Sequence, residues 1–264
     1  MRNTSKQFSA ILIICSLYCM ACNGQSASDT TQATSTKDSM SSSIINYYNK
    51  NKGNDLPSKS LGTTGNGSLI NGKLMPFEGS NFQYFDQWSY LLGRGFVHHK
   101  VKQSVLDAYT LLDSLEPSRK FYIMECSHAD GGEFFPHRTH QNGMSVDFMM
   151  PKLKNSSAFY GLDSLGTSHY FLNFNNEGQY TKDTSITIDF NTIAHHILLL
   201  DKAARKRGLK IKKVIIKTEL KDELFSTYYG KKLKTSDIYV VKSLTPFVNN
   251  SHDEHYHIDF ELLN

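Results

Sequence analysis

Two histidine-rich segments at widely separated places in the chain limit the folds that it can adopt. FPHRTHQNGMSVDF spans residues 135–148, and SHDEHYHIDF spans residues 251–260. Imidazole nitrogens and carboxylate oxygens are ligands that zinc prefers in proteins. If the two segments share one metal ion, the fold must bring them together. Three protein ligands would leave a fourth position open for water, which is typical of a catalytic zinc and predicts a metallohydrolase.

Hydrophobic patterns around these segments predict helices and short strands. Apolar residues recur with a helical period in residues 99–115 and 191–207, and Gly208 is placed to end the second helix. Short apolar runs predict strands over residues 121–126, 144–150, 211–218 and 254–262. Because helices and strands mix without a regular βαβ order, we expect an α+β fold with a small, mostly antiparallel sheet flanked by helices.

The predicted strands give the candidate ligands a geometry. Side chains alternate along a strand, so His255 and His257 are expected to project to the same face of the sheet. If their strand is a neighbour of the strand that carries Asp147, His257 can meet Asp147 across the pair. His140 arrives from the loop before Gly143. The sequence thus predicts a zinc site on the sheet, with His255 beside it as a candidate general base.

The N-terminal residues have the pattern of an export signal. Two cations precede an apolar run, residues 8–21, that is too short to span a membrane comfortably. Cys22 follows in a context similar to a bacterial lipobox, which predicts a lipid anchor on this cysteine, with plain cleavage as the alternative. We therefore predict a signal at residues 1–22 and a Ser/Thr-rich tether at residues 23–46.

The composition of the remaining chain indicates a folded domain over residues 47–264. Gly, Asn and Lys dominate residues 47–68, where we expect mostly loop structure. Cys126 is the one cysteine in the domain, so no disulfide can form inside it, and a buried apolar position is expected for this thiol. The formal net charge is +4, and it falls to +2 without Arg2 and Lys6 of the predicted signal, which is too small to indicate nucleic acid as the main partner.

Other histidines are weaker candidates for the site. His195 and His196 are adjacent on a predicted helix, so they cannot share a face, and we expect a structural or surface role for both. His128 follows a strand in a Gly-rich loop, where it can line the cleft. The sequence lacks the HExxH and GxSxG motifs and a Walker-type glycine loop, so it does not indicate those classes of enzyme.

The motifs together resemble those of a known family. His140 and Asp147 form an H-x6-D motif with HQ-x-G inside it, and an H-x-H motif lies near the C-terminus. Residues 60–79, SLGTTGNGSLINGKLMPFEG, are similar to the start of the same domain. These features resemble the penicillin-insensitive murein endopeptidases, within the superfamily of lysostaphin-type and D-Ala-D-Ala metallopeptidases. The resemblance covers most of residues 60–263.

This resemblance implies a zinc peptidase with a defined set of site residues. The implied reaction is hydrolysis, by a metal-activated water, of peptidoglycan cross-links between D-alanine and meso-diaminopimelate. Such an enzyme would act in the periplasm of a Gram-negative bacterium, where the anchor on Cys22 would hold it at a membrane. The implied Zn²⁺ ligands are His140, Asp147 and His257, the implied catalytic histidine is His255, and the implied additional active-site histidines are His137 and His252.

Several positions differ from the family pattern. Pro136 replaces a glycine, Met144 and Ser145 replace Leu-Asp, and the family's disulfide cysteines are absent. These differences concern substrate preference more than metal binding, so DD- or LD-carboxypeptidase activity on the same scaffold is one alternative. A non-catalytic zinc- or peptidoglycan-binding lipoprotein is another. A third is a purely structural zinc, with His137 or His252 as its fourth ligand.

Overall fold

The computed structural model describes residues 41–263, which contain helices and many short strands. The predicted signal, Cys22 and most of the predicted tether lie outside these residues. The strands are β1 (Lys59–Thr63), β2 (Asn66–Ile70), β3 (Lys73–Leu74), β4 (Phe82–Tyr84), β5 (Phe96–Val97), β6 (Phe121–Ile123), β7 (Ser145–Met149), β8 (Lys152–Lys154), β9 (Ser157–Phe159), β10 (Gln179–Tyr180), β11 (Asp183–Ile188), β12 (Leu209–Ile215) and β13 (His255–Leu262).

Helices connect and flank these strands. They are α1 (residues 41–51), α2 (Gln87–Leu91), α3 (His99–Leu115), α4 (Phe190–Lys206), α5 (Lys221–Ser226), α6 (Tyr228–Lys234) and α7 (Pro246–Asn250), with 3-10 turns at Gly166–Phe171 and Thr218–Leu220. Within residues 41–263, none of the helices combines the length and apolar character needed to cross a membrane.

The largest sheet contains five strands in the order β12-β13-β7-β6-β4. Its neighbours pair antiparallel except for β6 and β4, which are parallel. A four-stranded sheet, β10-β11-β8-β9, and the antiparallel pairs β1–β2 and β3–β5 complete the strands. The mixture of helices with small, mostly antiparallel sheets confirms the predicted α+β class.

The two faces of β7 and β13 have different surroundings. On one face, the Phe148 ring lies 5.5 Å from the ring of Tyr256 and 4.8 Å from that of His196, which belongs to α4. Asp147 and His257 alternate with these residues and project from the opposite face. The strands are therefore buried on both sides, with an apolar side against the helices and a polar side that carries the candidate ligands.

Helices α3 and α4 pack against each other through the apolar face that each of them presents. Asp189 caps α4 by accepting a hydrogen bond from the Thr192 backbone N–H at 3.1 Å, and Gly208 follows its end with a φ of +72°. Both helices confirm the predicted ones, to within a residue at each end. Their buried faces include Val101, Val105, Ala108 and Leu112 in α3, and Ile193, Ile197, Leu200 and Ala204 in α4.

The prediction of mostly loop structure in residues 47–68 is wrong. Helix α1 extends to residue 51 and includes residues 41–46 of the predicted tether, while β1 and β2 form a hairpin. Tertiary contacts account for the helix, since Ile44 is buried and the Tyr47 ring packs edge-on against Tyr90 at 5.7 Å. The hairpin is rich in glycine and largely exposed, so its sequence does not have the apolar alternation of a typical strand.

Some predicted strand boundaries also differ from the structure. The strand predicted over residues 121–126 ends at Ile123, although pairing continues irregularly beyond it. There the Met124 N–H donates to the Asp147 carbonyl and the Asp147 N–H donates to the Glu125 carbonyl, both at 2.8 Å. Cys126 follows as a buried, free thiol, as expected, and burial raises its pKa well above the usual value.

Candidate active site

Asp147 lies at the centre of a cluster of histidines on the polar face of the sheet. Its Oδ2 atom is buried and has no hydrogen-bond partner among the described residues. His140 Nε2 lies 3.2 Å from this oxygen, His137 Nδ1 3.6 Å and His255 Nε2 4.0 Å. Burial alone would raise the pKa of Asp147, but the imidazoles of His140 and His257 outweigh it and hold the pKa well below its usual value.

His140 is held by a tightly fixed loop. Its Nδ1 donates to the Cys126 carbonyl, which leaves Nε2 directed at Asp147. The backbone of His140 has a φ of +71°, a conformation that side chains other than glycine adopt rarely and that is typical of functional sites. Gly143 ends the loop with a φ of +72°, and a Cβ there would lie 2.9 Å from the His98 nitrogen.

His257 faces Asp147 across the β13–β7 pair, as predicted from the strand pattern. Its Nδ1 lies 2.7 Å from Asp147 Oδ1, and its Nε2 lies 2.7 Å from Asp259 Oδ1. Burial lowers the pKa of His257, but Asp259 and Asp147 outweigh it and raise that pKa to about 9. Asp259 also accepts from the Ser145 hydroxyl at 2.5 Å and pairs with Lys213 at 3.0 Å.

His255 is oriented by the residue that precedes it. Its Nδ1 donates to Glu254 Oε2 at 2.6 Å, so Nε2 is the nitrogen that faces Asp147. Burial lowers the pKa of His255, but the Glu254 carboxylate outweighs it and the pKa lies above its usual value. Glu254 is itself almost fully buried, and burial raises the pKa of this carboxyl.

The structure also brings His137 and His252 to the cluster. His137 packs edge-on against His140, with ring centroids 5.0 Å apart. His252 Nδ1 donates to the Val248 carbonyl at 2.6 Å, and its ring lies 4.7 Å from that of His255. Burial lowers the pKa of His137 to about 2 and that of His252 to about 3, so both rings are neutral at pH 7.

His128 contacts the cluster only through Phe134. The Phe134 ring lies 4.9 Å from His128, and it also stacks on His140 at 5.3 Å. Arg94 covers the same phenyl ring, with its guanidinium carbon 3.8 Å from the ring centroid, and pairs with Glu125. His128 thus supports the wall of the site through Phe134, and its Nδ1 lies 3.2 Å from the Gly93 carbonyl oxygen.

His195 and His196 have structural roles, as expected. His195 Nδ1 donates to Glu116 at 2.6 Å, and its ring stacks on Tyr229 at 3.8 Å. His196 is fully buried, with Nδ1 2.6 Å from the Tyr256 hydroxyl on the apolar face of the sheet. Neither histidine lies on the face that carries Asp147.

The chemistry and geometry of the donor atoms fit a metal ion. Among the described residues, His140 Nε2 and Asp147 Oδ2 are buried polar atoms without a hydrogen-bond partner, and they lie 3.2 Å apart. Bond lengths near 2.1 Å place two ligands of a tetrahedral zinc roughly 3.4 Å from each other. One donor atom each from His137, His140 and Asp147 forms a group within 4.8 Å that is able to hold a metal ion.

Three further residues belong to the site, although the sequence analysis does not assign them to it. Glu254 and Asp259 lie inside the C-terminal histidine-rich segment, where Glu254 directly precedes His255 and Asp259, two residues after His257, is on the same face of β13. Tyr170 comes from the 3-10 turn Gly166–Phe171, and its ring packs edge-on against His255 at 5.6 Å. No periodicity or spacing in the sequence connects this turn with the histidine motifs.

Comparison with known proteins agrees with the site geometry. A sequence model of the penicillin-insensitive murein endopeptidases matches residues 60–262, which include every histidine and carboxylate of the cluster. No curated protein matches the chain significantly. Members of the matched family are metallopeptidases that cleave peptidoglycan. Because the match covers most of the sequence, the chain belongs to the penicillin-insensitive murein endopeptidase family.

Proposed function

We propose that this peptidoglycan-cleaving peptidase uses zinc and hydrolyses the cross-link between D-alanine and meso-diaminopimelate. The family and the cluster of histidines around a carboxylate support metal dependence. The observation that carries the proposal is the facing pair of unpartnered atoms, His140 Nε2 and Asp147 Oδ2. When bound, zinc would supply an activated water with a pKa of about 7 and would polarise the peptide carbonyl.

We propose His140, Asp147 and His257 as the zinc ligands. His257 is favoured as the third ligand because it sits on a strand directly opposite Asp147, and because Asp259 accepts from its other ring nitrogen. A carboxylate in this position orients a metal-binding imidazole and raises its basicity. To act as a ligand, His257 Nδ1 gives up the proton that it shares with Asp147, as ligands generally do.

The remaining histidines are proposed to move protons and to bind the substrate. His255 presents Nε2 to the centre while Glu254 holds Nδ1, so Nε2 can take a proton from the attacking water and return it to the leaving amine. His137 and His252 are neutral at pH 7, so each can donate one hydrogen bond to the peptide and accept another.

We further propose that the enzyme works in the periplasm of a Gram-negative bacterium and is anchored to a membrane through Cys22. The sequence of residues 1–22 and the Ser/Thr-rich stretch after it support export and lipidation. Mass spectrometry of the mature N-terminal peptide tests the anchor. An acylated Cys22 is expected, whereas an unmodified new N-terminus would leave plain cleavage as the processing route.

A digest of purified, cross-linked peptidoglycan tests the reaction. The products are separated and identified by mass spectrometry, with added zinc and with a chelator. Conversion of dimeric muropeptides to monomers is expected with zinc and not with the chelator. Release of only a terminal D-alanine would instead identify a carboxypeptidase on the same scaffold. No product at all from protein with bound zinc would favour a binding function.

Matched variants test the ligand set. His257→Ala is expected to lose bound zinc, whereas His137→Ala is expected to keep it, because the side chain of His137 comes from a loop and is partly exposed. Zinc content is measured by elemental mass spectrometry on folded protein. Loss of zinc in His137→Ala together with full zinc occupancy in His257→Ala would reverse the assignment.

A further inference from the structure

Tyr170 lies beside the candidate active site, and its hydroxyl is buried without a hydrogen-bond partner among the described residues. Its ring meets His255 edge-on at 5.6 Å and His137 at 6.4 Å, while Phe85 packs against it at 5.8 Å. The phenolic oxygen is buried and has no hydrogen-bond partner in residues 41–263. The ring is therefore fixed by aromatic neighbours, while the polar end is left without a protein partner.

Other buried tyrosines in the same region satisfy their hydroxyls. The Tyr84 hydroxyl donates to the Arg94 carbonyl at 3.1 Å, and the Tyr90 hydroxyl donates to the Met75 carbonyl at 2.7 Å. A buried tyrosine hydroxyl normally has such a partner, because an unpaired buried polar group destabilises the fold. An exception at the edge of a cluster of site residues indicates a group that is paired when substrate is bound.

The surroundings of the Tyr170 hydroxyl make it a hydrogen-bond donor. Burial raises its pKa well above the usual value, and the carboxylates of Glu125, Asp147 and Glu254 raise it further. The hydroxyl therefore keeps its proton throughout the working pH range. No acceptor in residues 41–263 takes this proton, since the hydroxyl donates to none of these carboxylates.

We propose that the Tyr170 hydroxyl donates a hydrogen bond to the carbonyl oxygen of the scissile peptide bond. This inference rests on the proposed function, because it requires that a peptide be hydrolysed beside Asp147. Negative charge develops on the carbonyl oxygen as water adds to the carbonyl carbon. A preoriented donor at this oxygen lowers the barrier more than it tightens substrate binding. Tyr170 transfers no proton and forms no covalent bond in this role.

The variant Tyr170→Phe removes only the oxygen and keeps the ring that packs against Phe85, His137 and His255. We expect kcat for cross-linked muropeptides to fall about 100-fold, with KM changed less than about threefold. Zinc content should be unchanged, and the melting temperature should be equal or higher, because a buried unpaired group has been removed. A structural role alone would not lower kcat while leaving stability intact.

Tyr90→Phe is the matched control. It also removes a buried hydroxyl, but one that is bonded to the Met75 carbonyl. This variant should melt at a lower temperature and keep kcat within about twofold of the unaltered enzyme. A second measurement uses a phosphinate analogue of the D-alanine–meso-diaminopimelate bond, whose charged oxygens occupy the place of the developing oxyanion. The Kd of this analogue should rise in Tyr170→Phe by about the same factor as kcat falls.

The outcomes separate the two proposals. If the unaltered enzyme cleaves the cross-link and Tyr170→Phe retains kcat within twofold, the role of Tyr170 is wrong and the proposed function stands. If Tyr170→Phe loses zinc together with activity, the residue supports the metal site and does not contact the reacting carbonyl. If the unaltered enzyme neither cleaves the cross-link nor binds the phosphinate, the proposed function fails, and the role of Tyr170 fails with it.

Discussion

His140 Nε2 and Asp147 Oδ2 face each other at 3.2 Å in the interior of the domain, and neither atom has a hydrogen-bond partner among the described residues. Two buried polar atoms without partners lower the free energy of unfolding, unless a further group binds to both of them. The His140 ring is already held by its bond to the Cys126 carbonyl, and the Asp147 carboxylate is held by the contact of its Oδ1 with His257 Nδ1 at 2.7 Å. The arrangement therefore does not relax by a small rotation of either side chain.

Replacement of His140 by alanine should abolish metal binding. One of the two facing donors is lost, so we expect affinity for zinc to fall by more than the roughly 10- to 100-fold that loss of an outer partner costs. Equilibrium dialysis against a zinc indicator measures this change. His128→Ala is the control, since His128 reaches the cluster only through Phe134. Stoichiometric, tight zinc in His140→Ala would contradict the ligand set.

Asp259→Asn should weaken zinc binding and leave the ligands in place. Asp259 accepts from His257 Nε2 and from the Ser145 hydroxyl, so the amide would disturb the orientation of His257. We expect zinc affinity to fall about 10- to 100-fold, in the range found for outer partners of metal ligands. Titration with a competing chelator gives the affinity. An unchanged affinity would show that Asp259 serves only the fold.

Glu254→Gln should impair turnover without removing the metal. Glu254 holds His255 Nδ1 at 2.6 Å, and an amide at this place can present its NH₂ group and favour the wrong tautomer of the imidazole. We expect kcat to fall by at least about tenfold, within the range of general acid–base catalysis. Zinc content is measured in parallel and should stay at the level of the unaltered enzyme. Equal kcat values would remove Glu254 from the catalytic arrangement.

Tyr256→Phe should cost stability and not activity. Its hydroxyl lies 2.6 Å from His196 Nδ1 on the apolar face, away from the metal ligands. Removal of this hydroxyl leaves a buried nitrogen unpaired, at a cost of about 1–3 kcal/mol in the free energy of unfolding. Urea unfolding and kcat are the two measurements. A loss of kcat at full metal content would mean that the two faces of β13 are coupled.

His196 should make the domain less stable in acid. Burial lowers the pKa of His196 to about 3 from 6.5. Between these values the unfolded chain binds a proton on this histidine and the folded chain does not. The free energy of unfolding should therefore fall with pH in this window, by up to about 1.4 kcal/mol per pH unit. Urea unfolding at pH 5 and pH 7 should show a shallower dependence for His196→Gln, and equal slopes would contradict the prediction.

The strongly patterned parts of the sequence predict the structure well. Helices α3 and α4 have complete apolar faces, and β7 and β13 have short apolar runs, so local pattern and burial agree for these elements. The pairing of β13 with β7 meets the condition under which His257 was expected to lie opposite Asp147. The spacing of histidines along a strand determines which of them share a face.

Other features depend on contacts that sequence patterns do not carry. Helix α1 is defined by the packing of Ile44 and Tyr47, and the β1–β2 hairpin by backbone pairing of glycine-rich segments. The ring of Tyr170 belongs to the site because the fold brings the 3-10 turn Gly166–Phe171 next to His255. The residues next to Tyr170 in the sequence give no indication of this contact.

The different surroundings of the two faces of β7 and β13 have a consequence for how this enzyme can change over time. Packing of Phe148 and Tyr256 on the helix side stabilises the fold, whereas the opposite face carries the residues of the candidate active site. A lineage could therefore alter the loops over the polar face and acquire a new cleavage preference without rebuilding the interior. Substitutions of Phe148 or Tyr256 would instead destabilise the fold, so selection would act against them whatever their effect on the reaction.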